Sequence, residues 1–465
     1  MKKLSLLLLF SIIVNQNITS QNTKQPPVVS LSNPNVILIL ADDLGAGDLH
    51  STGHPYAKTP HLDKLAAEGV QFDRAYMAAP WCAPSRYGIM SGQYPARDFN
   101  ASKNLKPDEP TITKLLNDAG YTTGHFGKWH LNWDMEFAEN PGDFGIDDHF
   151  TSNHNGNGKT WTKEEKSSKH WRERTTDAYV DMTIDFIDKN AASDNPKPFY
   201  VNLWVYPTHS YIDPTPEMLA VYDGLQVDLK DFSKQQQEFL SFVSKHGDIN
   251  KAMQAYCADV TAMDTILGRL FAYLKKTGLD KNTILVFSSD NGPGPLTKQV
   301  ITESVVKRYK ERPTLLNNVG SAKNYRDRKL SFHEGGIRVP YIVSWPGHFP
   351  QGVKDNKTVI QGVDWLPTIA SLCNVALPKS TFDGMDVKSA FYGKGNTRTA
   401  PLFWSEKENS VIMNDNWKGV MMKGEFALYD IVKDPSEEND LKEAKSHVAA
   451  AMKKKLKDWK KSLKK

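Results

Sequence analysis

An α/β fold is predicted, with a mixed, mostly parallel doubly wound sheet followed by a small C-terminal antiparallel sheet and a helix. Three observations carry this. Continuous apolar runs at 35–40, 198–205, 283–289 and 341–345 have no polar alternation, as suits strands covered on both faces. Segments of helical spacing lie between them, which is the pattern of strand–helix–strand units. After about residue 385 the pattern changes to short amphipathic runs at 402–404, 411–413, 419–422 and 426–429, then a lysine-rich helix expected over 438–464. With 465 residues and 39% apolar content the chain can bury a sizeable core. A net charge of +4 is small for that length and gives no case for nucleic acid.

Taken in order, the chain opens with Lys2 and Lys3, an apolar stretch over 4–14 and Ile18-Thr19-Ser20 as a cleavage site. This reads as a signal peptide, 1–20, and predicts a secreted or periplasmic protein. The stretch is short for a bilayer span, and no later one is long enough, so no integral membrane segment is expected after signal removal. A catalytic α/β domain is expected over 34–385 and a small C-terminal α+β subdomain over 386–465. Thr59, Pro60 and Gly69 bracket a short helix, and a second follows Thr111 and stops at Gly120. Residues 120–130 form a Gly-rich segment presenting Lys128 and His130. Residues 151–174 are polar and irregular. Trp161 and Trp171 there are either stacking surfaces for sugars or part of a solvated insertion. A charged helical excursion at 213–250 precedes a helix over 256–276, which ends at Gly278.

The chemistry concentrates at strand ends. The first run ends in Asp42-Asp43 and the third in Asp290-Asn291, each followed by glycine within two residues. Ligand sites of α/β sheets lie beyond the carboxyl ends of strands. Oxygen donors of this kind suit a hard divalent cation, calcium rather than magnesium in a larger site. Zinc is disfavoured, because no His/Cys cluster has suitable spacing along the chain. In Cys82-Ala83-Pro84-Ser85-Arg86, Pro84 suits the first turn of a helix. Cys82 then sits at the helix N-terminus, where an anion is favoured, with Arg86 one turn on. Arg86, Lys128, His130, His209 and Lys329 beside a cation describe a site for a tetrahedral oxyanion. Of the three cysteines, Cys257 and Cys373 either pair or remain buried thiols.

These motifs resemble type I, formylglycine-dependent sulfatases of the alkaline-phosphatase-like superfamily, the exported bacterial polysaccharide sulfatases in particular. The resemblance rests on Asp42-Asp43, Cys-x-Pro-x-Arg at 82–86 with Ile89-Met90-Ser91-Gly92, Gly127-Lys128-Trp129-His130, Asp290-Asn291-Gly292 and Glu334-Gly335-Gly336. It implies calcium held by Asp42, Asp43, Asp290, Asn291 and an oxygen of residue 82, where Cys82 becomes formylglycine. It further implies that a hydroxyl of the formylglycine hydrate attacks sulfur in line, and that His130 helps expel sulfate. Arg86 and Lys128 hold the hydrate and sulfate, His209 and Lys329 bind sulfate, and one of those two protonates the leaving oxygen. His333 replaces a frequent aromatic, at a position where it either reaches substrate or merely packs. Trp81, Phe126 and Tyr211 also depart from the usual pattern. The implied partners are a sulfated carbohydrate, such as algal ulvan, carrageenan or a glycosaminoglycan, and a formylglycine-generating or sulfatase-maturing enzyme. The alternatives are a phosphate or phosphonate monoester hydrolase on the same scaffold and an inactive carbohydrate-binding relative.

Overall fold

The four apolar runs all form strands, and among the described residues the main sheet has eight members. They are β1 (Asn35–Ala41), β2 (Val70–Tyr76), β3 (Thr122–Lys128), β4 (Asp148–Ser152), β5 (Phe199–Trp204), β6 (Thr283–Ser289), β7 (Tyr341–Ser344) and β8 (Val353–Gln361). The order across the sheet is β4-β3-β5-β1-β6-β7-β2-β8. Only β7 runs antiparallel to its neighbours, so the sheet is mixed but mostly parallel, as expected. The computed structural model describes residues 33–463 apart from 99–103, 132–140, 153–160, 163, 166–167, 169, 211 and 295–317. The signal peptide expected at 1–20 lies outside the described residues.

Alternate residues of the central strands enter two different cores, which is why these strands carry no polar face. Ile37 and Ile39 of β1 point into one, and Val36, Leu38 and Leu40 into the other. The long helix Ile249–Thr277 covers the first face through Val260, Met263, Leu267, Leu270 and Leu274. The helix Trp365–Leu372 covers the second. Cys257 belongs to the first core and Cys373 to the second, so the sheet separates them and both are free thiols. No helix among the described residues is long and apolar enough to cross a membrane.

Two readings of the sequence change here. The Gly-rich segment at 120–130 contains a strand, β3, which has no apolar run to announce it. Gly127 has φ 125° and lies so close to β5 that a Cβ would sit 1.9 Å from the Trp204 carbonyl oxygen. Only glycine fits that approach. Trp161 and Trp171 do not stand in a fully solvated insertion: both are half-buried and pack on the first core. Trp161 Nε1 donates to the Tyr179 hydroxyl at 2.7 Å, and Trp171 packs against Tyr206.

The second sheet is antiparallel: β9 (Leu402–Glu406), β10 (Asn409–Asn414), β11 (Trp417–Met422) and β12 (Glu425–Asp430), in the order β12-β11-β10-β9. Its strands do alternate. Trp404, Val411 and Val420 pack towards Tyr76, Phe332 and Ile337, while Ile412, Phe426 and Leu428 meet Ala449, Met452 and Leu456 of the last helix. That helix spans Ser446–Ser462 and starts later than expected. Asp434 accepts from the amides of Glu438 and Asn439, and Asp440 from that of Leu428, so turn chemistry holds this stretch out of the helix.

Candidate active site

The strands β3, β5, β1 and β6 are consecutive neighbours and parallel, so their carboxyl ends open on one side of the sheet. Asp42 and Asp43 follow β1, Asp290 and Asn291 follow β6, Lys128 ends β3, and His209 lies beyond β5. Asp43 and His130 both have positive φ, 63° and 58°. Asp and His are among the few residues that tolerate this conformation, and such outliers gather at functional sites.

Cys82 is the first residue of a fully buried helix, Cys82–Ser91, which is preceded by extended Trp81. Pro84 falls in the first turn, as read from the sequence. Cys82 Sγ lies 3.3 Å from Asp42 Oδ1, 3.9 Å from Asp43 Oδ1 and 3.3 Å from Lys329 Nζ. Lys128 Nζ donates to Asp42 Oδ2 at 2.6 Å, and Lys329 Nζ donates to Asp43 Oδ1. Arg86 donates through Nε and Nη2 to Asp290 Oδ2 at 3.0 and 2.7 Å, and through Nη1 to the Lys128 carbonyl at 3.1 Å. Asn291 Nδ2 donates to Asp43 Oδ1 at 2.8 Å, while Asn291 Oδ1 is buried with no hydrogen-bond partner. His209 Nε2 is 3.9 Å from Asp43 Oδ2, and its Nδ1–H donates to the Ser210 carbonyl at 2.7 Å. Gly292 brings the Glu334-Gly335-Gly336 segment against this end of β6, because a Cβ there would lie 1.9 Å from the Gly335 carbonyl oxygen.

The charges shape one another. Burial pushes the Asp42 carboxyl up, but Lys128, His209, Arg86 and Lys329 together outweigh it and hold it well below the usual carboxylate range. Asp43 is held low in the same way, against burial, chiefly by Lys329. Asp290 goes the other way: burial and the Asp42 charge push it up to about 6 in spite of Arg86. Burial acts against the Lys329 ammonium, yet Asp43 and its neighbours raise its pKa. Burial lowers His209 to about 4 and also holds His130 well below the usual imidazole range. Burial, followed by Asp290 and Asp42, raises the Cys82 thiol.

The structure thus joins Asp42, Asp43, Cys82, Arg86, Lys128, Lys329, Asp290, Asn291 and His209 in one contact network, with His130 two residues beyond Lys128 in the same field. His333 is placed differently: its Nδ1 meets Asp327 Oδ2 at 2.6 Å and Ser331 Oγ at 3.1 Å, at the start of the helix Glu334–Ile337. Cys82 Sγ and His209 fall within the same 4.8 Å as carboxylate oxygens of Asp42 and Asp43. Spacing along the chain argued against a His/Cys cluster, and folding assembles one. Residue 82 therefore decides the character of the site: a thiolate makes it soft, an oxygen makes it hard. An orphaned acceptor at Asn291 beside these carboxylates fits a cation.

Sequence reasoning missed three supporting residues. The Arg86 guanidinium carbon lies 5.0 Å from the Trp204 ring centroid, so β5 supplies a cation–π floor. Thr208 N donates to the Asp42 carbonyl at 2.7 Å and Thr208 Oγ1 to the Asp43 carbonyl at 3.1 Å, which straps the two aspartates. His125 stands edge-on to Trp129 and Trp204. Their only sequence signal was polar or aromatic character within an element read as core or loop.

A mostly parallel α/β sheet gathering paired acids, three buried cations and a helix-start cysteine at its strand ends defines a hydrolase of the alkaline-phosphatase-like superfamily. The sulfatase family's sequence profile matches residues 34–375, and the chain belongs to that family; it is a sulfuric ester hydrolase. A profile for the C-terminal part of N-sulphoglucosamine sulphohydrolase matches residues 322–462. The chain is 28% identical over 397 residues to arylsulfatase A of Bos taurus, covering 81% of this chain and 71% of that one. It is 28% identical over 485 residues to N-acetylgalactosamine-6-O-sulfatase of Bacteroides thetaiotaomicron, covering 89% and 90%. In fold it is similar to Ps i-CgsB solved in complex with k-i-k-neocarrahexaose, with TM-score 0.72, 24% identity and 92% and 93% of the two chains covered.

Proposed function

We propose that the chain is an exported sulfatase that removes sulfate from a carbohydrate, with formylglycine made from Cys82 and one calcium ion. The observation that carries this reading is the contact of residue 82 with Asp42, Asp43 and Lys329 at once. Asp42, Asp43, Asp290 and Asn291, with an oxygen at residue 82, would hold the ion, and the unpartnered Asn291 Oδ1 supplies an acceptor for it. When bound, calcium supplies positive charge to offset the charge growing on a sulfate oxygen. Formylglycine, as its hydrate, would supply one hydroxyl as nucleophile and a second whose deprotonation expels sulfate as the aldehyde re-forms, a release that plain serine or cysteine cannot match.

The chain's own residues orient and move protons. Arg86 and Lys128 lock Asp290 and Asp42 and present cationic groups to the sulfate. Lys329 Nζ has three N–H donors; two are used on Asp43 and residue 82, leaving one for the leaving-group oxygen. His209 keeps its Nδ1 proton on the Ser210 carbonyl, so it donates at Nε2 only as imidazolium. His130, next to this field, is the base that assists release of sulfate. His333 keeps its Nδ1 on Asp327, so Nε2 is the ring nitrogen that would meet substrate.

The carbohydrate reading draws on a relative named for N-acetylgalactosamine 6-O-sulfate and on a structural neighbour solved with a neocarrahexaose. A sulfated polysaccharide or its oligosaccharides is the proposed substrate class, carrageenan, ulvan and glycosaminoglycans being its members to assay. Export follows from Lys2, Lys3 and the apolar residues 4–14. A maturation enzyme acting on Cys82 is the implied partner. The proposed division places the catalytic domain at 34–385 and the C-terminal subdomain at 386–465.

Peptide mass spectrometry over Cys82 and metal analysis on one sample test the chemistry together. An aldehyde with bound calcium is expected; a free thiol with bound zinc in active enzyme would overturn it. Nitrophenyl sulfate should be turned over faster than nitrophenyl phosphate. Desulfation of defined sulfated oligosaccharides then identifies the sugar.

A further inference from the structure

A second, unassigned cationic cavity lies at the seam between the two sheets. It has a volume of about 240 Å³ and is lined by Arg74 of β2, Lys357 of β8, Arg398, and Asn414 and Asp415 at the end of β10. No residue of the catalytic network lines it. The central group is Arg74, which is only 6% exposed. Its guanidinium donates to two backbone carbonyls, Asp415 at 2.6 Å and Lys357 at 3.5 Å. Among the described residues no carboxylate stands within ion-pairing distance of it, and its Nε is buried with no hydrogen-bond partner. Buried arginines are ordinarily matched by an acid, because an unmatched desolvated charge is costly.

The neighbours do not supply the missing anion. Arg398 is already matched by Asp364, through contacts of 2.6 and 3.1 Å, and contributes a further buried Nε without a partner. Lys357 is exposed and has no ion pair among the described residues, so it adds charge at the mouth. Asp415 is the one acid on the lining among the described residues; it is exposed, and its Oδ2 accepts from Asn414 Nδ2 at 3.1 Å. One solvated carboxylate thus faces two cations that no acid among the described residues matches. Val359, Leu402 and Met413 give the same cavity an apolar wall.

We propose that this cavity binds a sulfate group, either borne on a saccharide unit or free. Fork-shaped guanidinium donors suit a tetrahedral oxyanion, and an apolar wall beside amide side chains suits the two faces of a sugar ring. The volume falls below the roughly 300–1,000 Å³ of ordinary small-molecule pockets, which matches one sugar and not a chain of them. The choice of sulfate over other oxyanions rests on the sulfatase assignment; the cavity's charge does not.

The test uses methyl-labelled methionine in a Cys82→Ala background, in which turnover is removed, and follows the Met413 methyl signal by NMR. Sodium sulfate and N-acetylglucosamine 6-sulfate are titrated separately. A saturable shift is expected, with about tenfold weaker binding in Arg74→Gln. In Lys357→Gln, an exposed position that folding tolerates, binding should be about threefold weaker. Tighter binding of the sugar sulfate makes the cavity a saccharide subsite, and equal binding makes it a site for the free oxyanion. Nitrophenyl sulfate turnover by Cys82-bearing Arg74→Gln enzyme should be unchanged, which reads the sulfatase assignment separately. No saturable shift with either probe, or equal affinity in background and both variants, overturns the proposal.

Discussion

Two buried charge clusters stand close together in this chain, and they do different work. Around Cys82, three acids (Asp42, Asp43, Asp290) face three cations (Arg86, Lys128, Lys329). Around Glu334, two acids (Glu334, Glu437) face two cations (Lys418, Arg338). Both are balanced and almost fully buried. In the second cluster Glu334 is held by Lys418 at 2.9 Å, Tyr76 at 2.8 Å and Arg338 at 3.1 Å, and Glu437 by the Glu334 amide at 2.7 Å and an ion pair with Lys418 at 3.0 Å, although Glu437 Oε1 accepts no hydrogen bond. The first keeps an unused acceptor on Asn291, a reactive atom at Cys82, and a histidine, His209, whose side chain is 29% exposed. Buried charge alone therefore does not mark a site. A reactive atom beside a side chain open to solvent does. The Glu334 cluster is a weld: Lys418 comes from β11, Tyr76 ends β2, and the Met77 amide bonds the Ile337 carbonyl, which steadies the segment leading to Cys82.

The sharpest separation comes from Cys82→Ala. It should lower nitrophenyl sulfate turnover by about 10⁴-fold or more while the urea midpoint stays near that of the parent. Lys418→Met should do the reverse. It strands two buried carboxylates and should cost about 3–5 kcal/mol in urea unfolding, with kcat per folded molecule preserved. A large kcat loss in that variant would erase the distinction between the clusters.

Trp204 tests a contact on the edge of the first cluster. Trp204→Leu removes the ring beneath Arg86, worth about 1–2 kcal/mol when desolvated, so kcat should fall about tenfold, with partial recovery in Trp204→Phe. Equal kcat in both variants would make Trp204 simple core.

The smallest effect belongs to Asp327, beside the weld. Burial pushes its carboxyl up, but the His333 contact outweighs this and brings it down to about 2. A folded pKa below the unfolded one stabilises the protein above about pH 4, and that stability is lost as pH falls towards 2. The Asp327 side chain is 41% exposed, so solvent screening limits the gain to about 1 kcal/mol or less. Asp327→Asn should flatten stability over this range in acid unfolding; an unchanged acid limb would remove the pair from the account.

Much was legible in the chain because it is written locally. Unbroken apolar runs specify strands with two covered faces, and Asp42-Asp43 and Asp290-Asn291 follow directly from them. Pro84 and the position of Cys82 indicate a helix start. β3 was hidden because glycine and threonine carry no periodic signal, and its existence depends on the approach of Gly127 to Trp204. The onset of the last helix was misplaced because turns at Asp434 and Asp440 compete with helical bonds.

By itself, then, the sequence determined the α/β class, the second sheet and the residues with chemistry to offer, since residue type and period act over a few positions. Tertiary structure decided their company. It set Cys82 and His209 together, although 127 positions apart, against Asp42 and Asp43. It also put Cys257 and Cys373 on opposite faces of a sheet, laid Trp161 and Trp171 against the first core, and drew His333 to Asp327. Contacts between distant segments depend on strand order and crossover, and no short window of sequence carries that information.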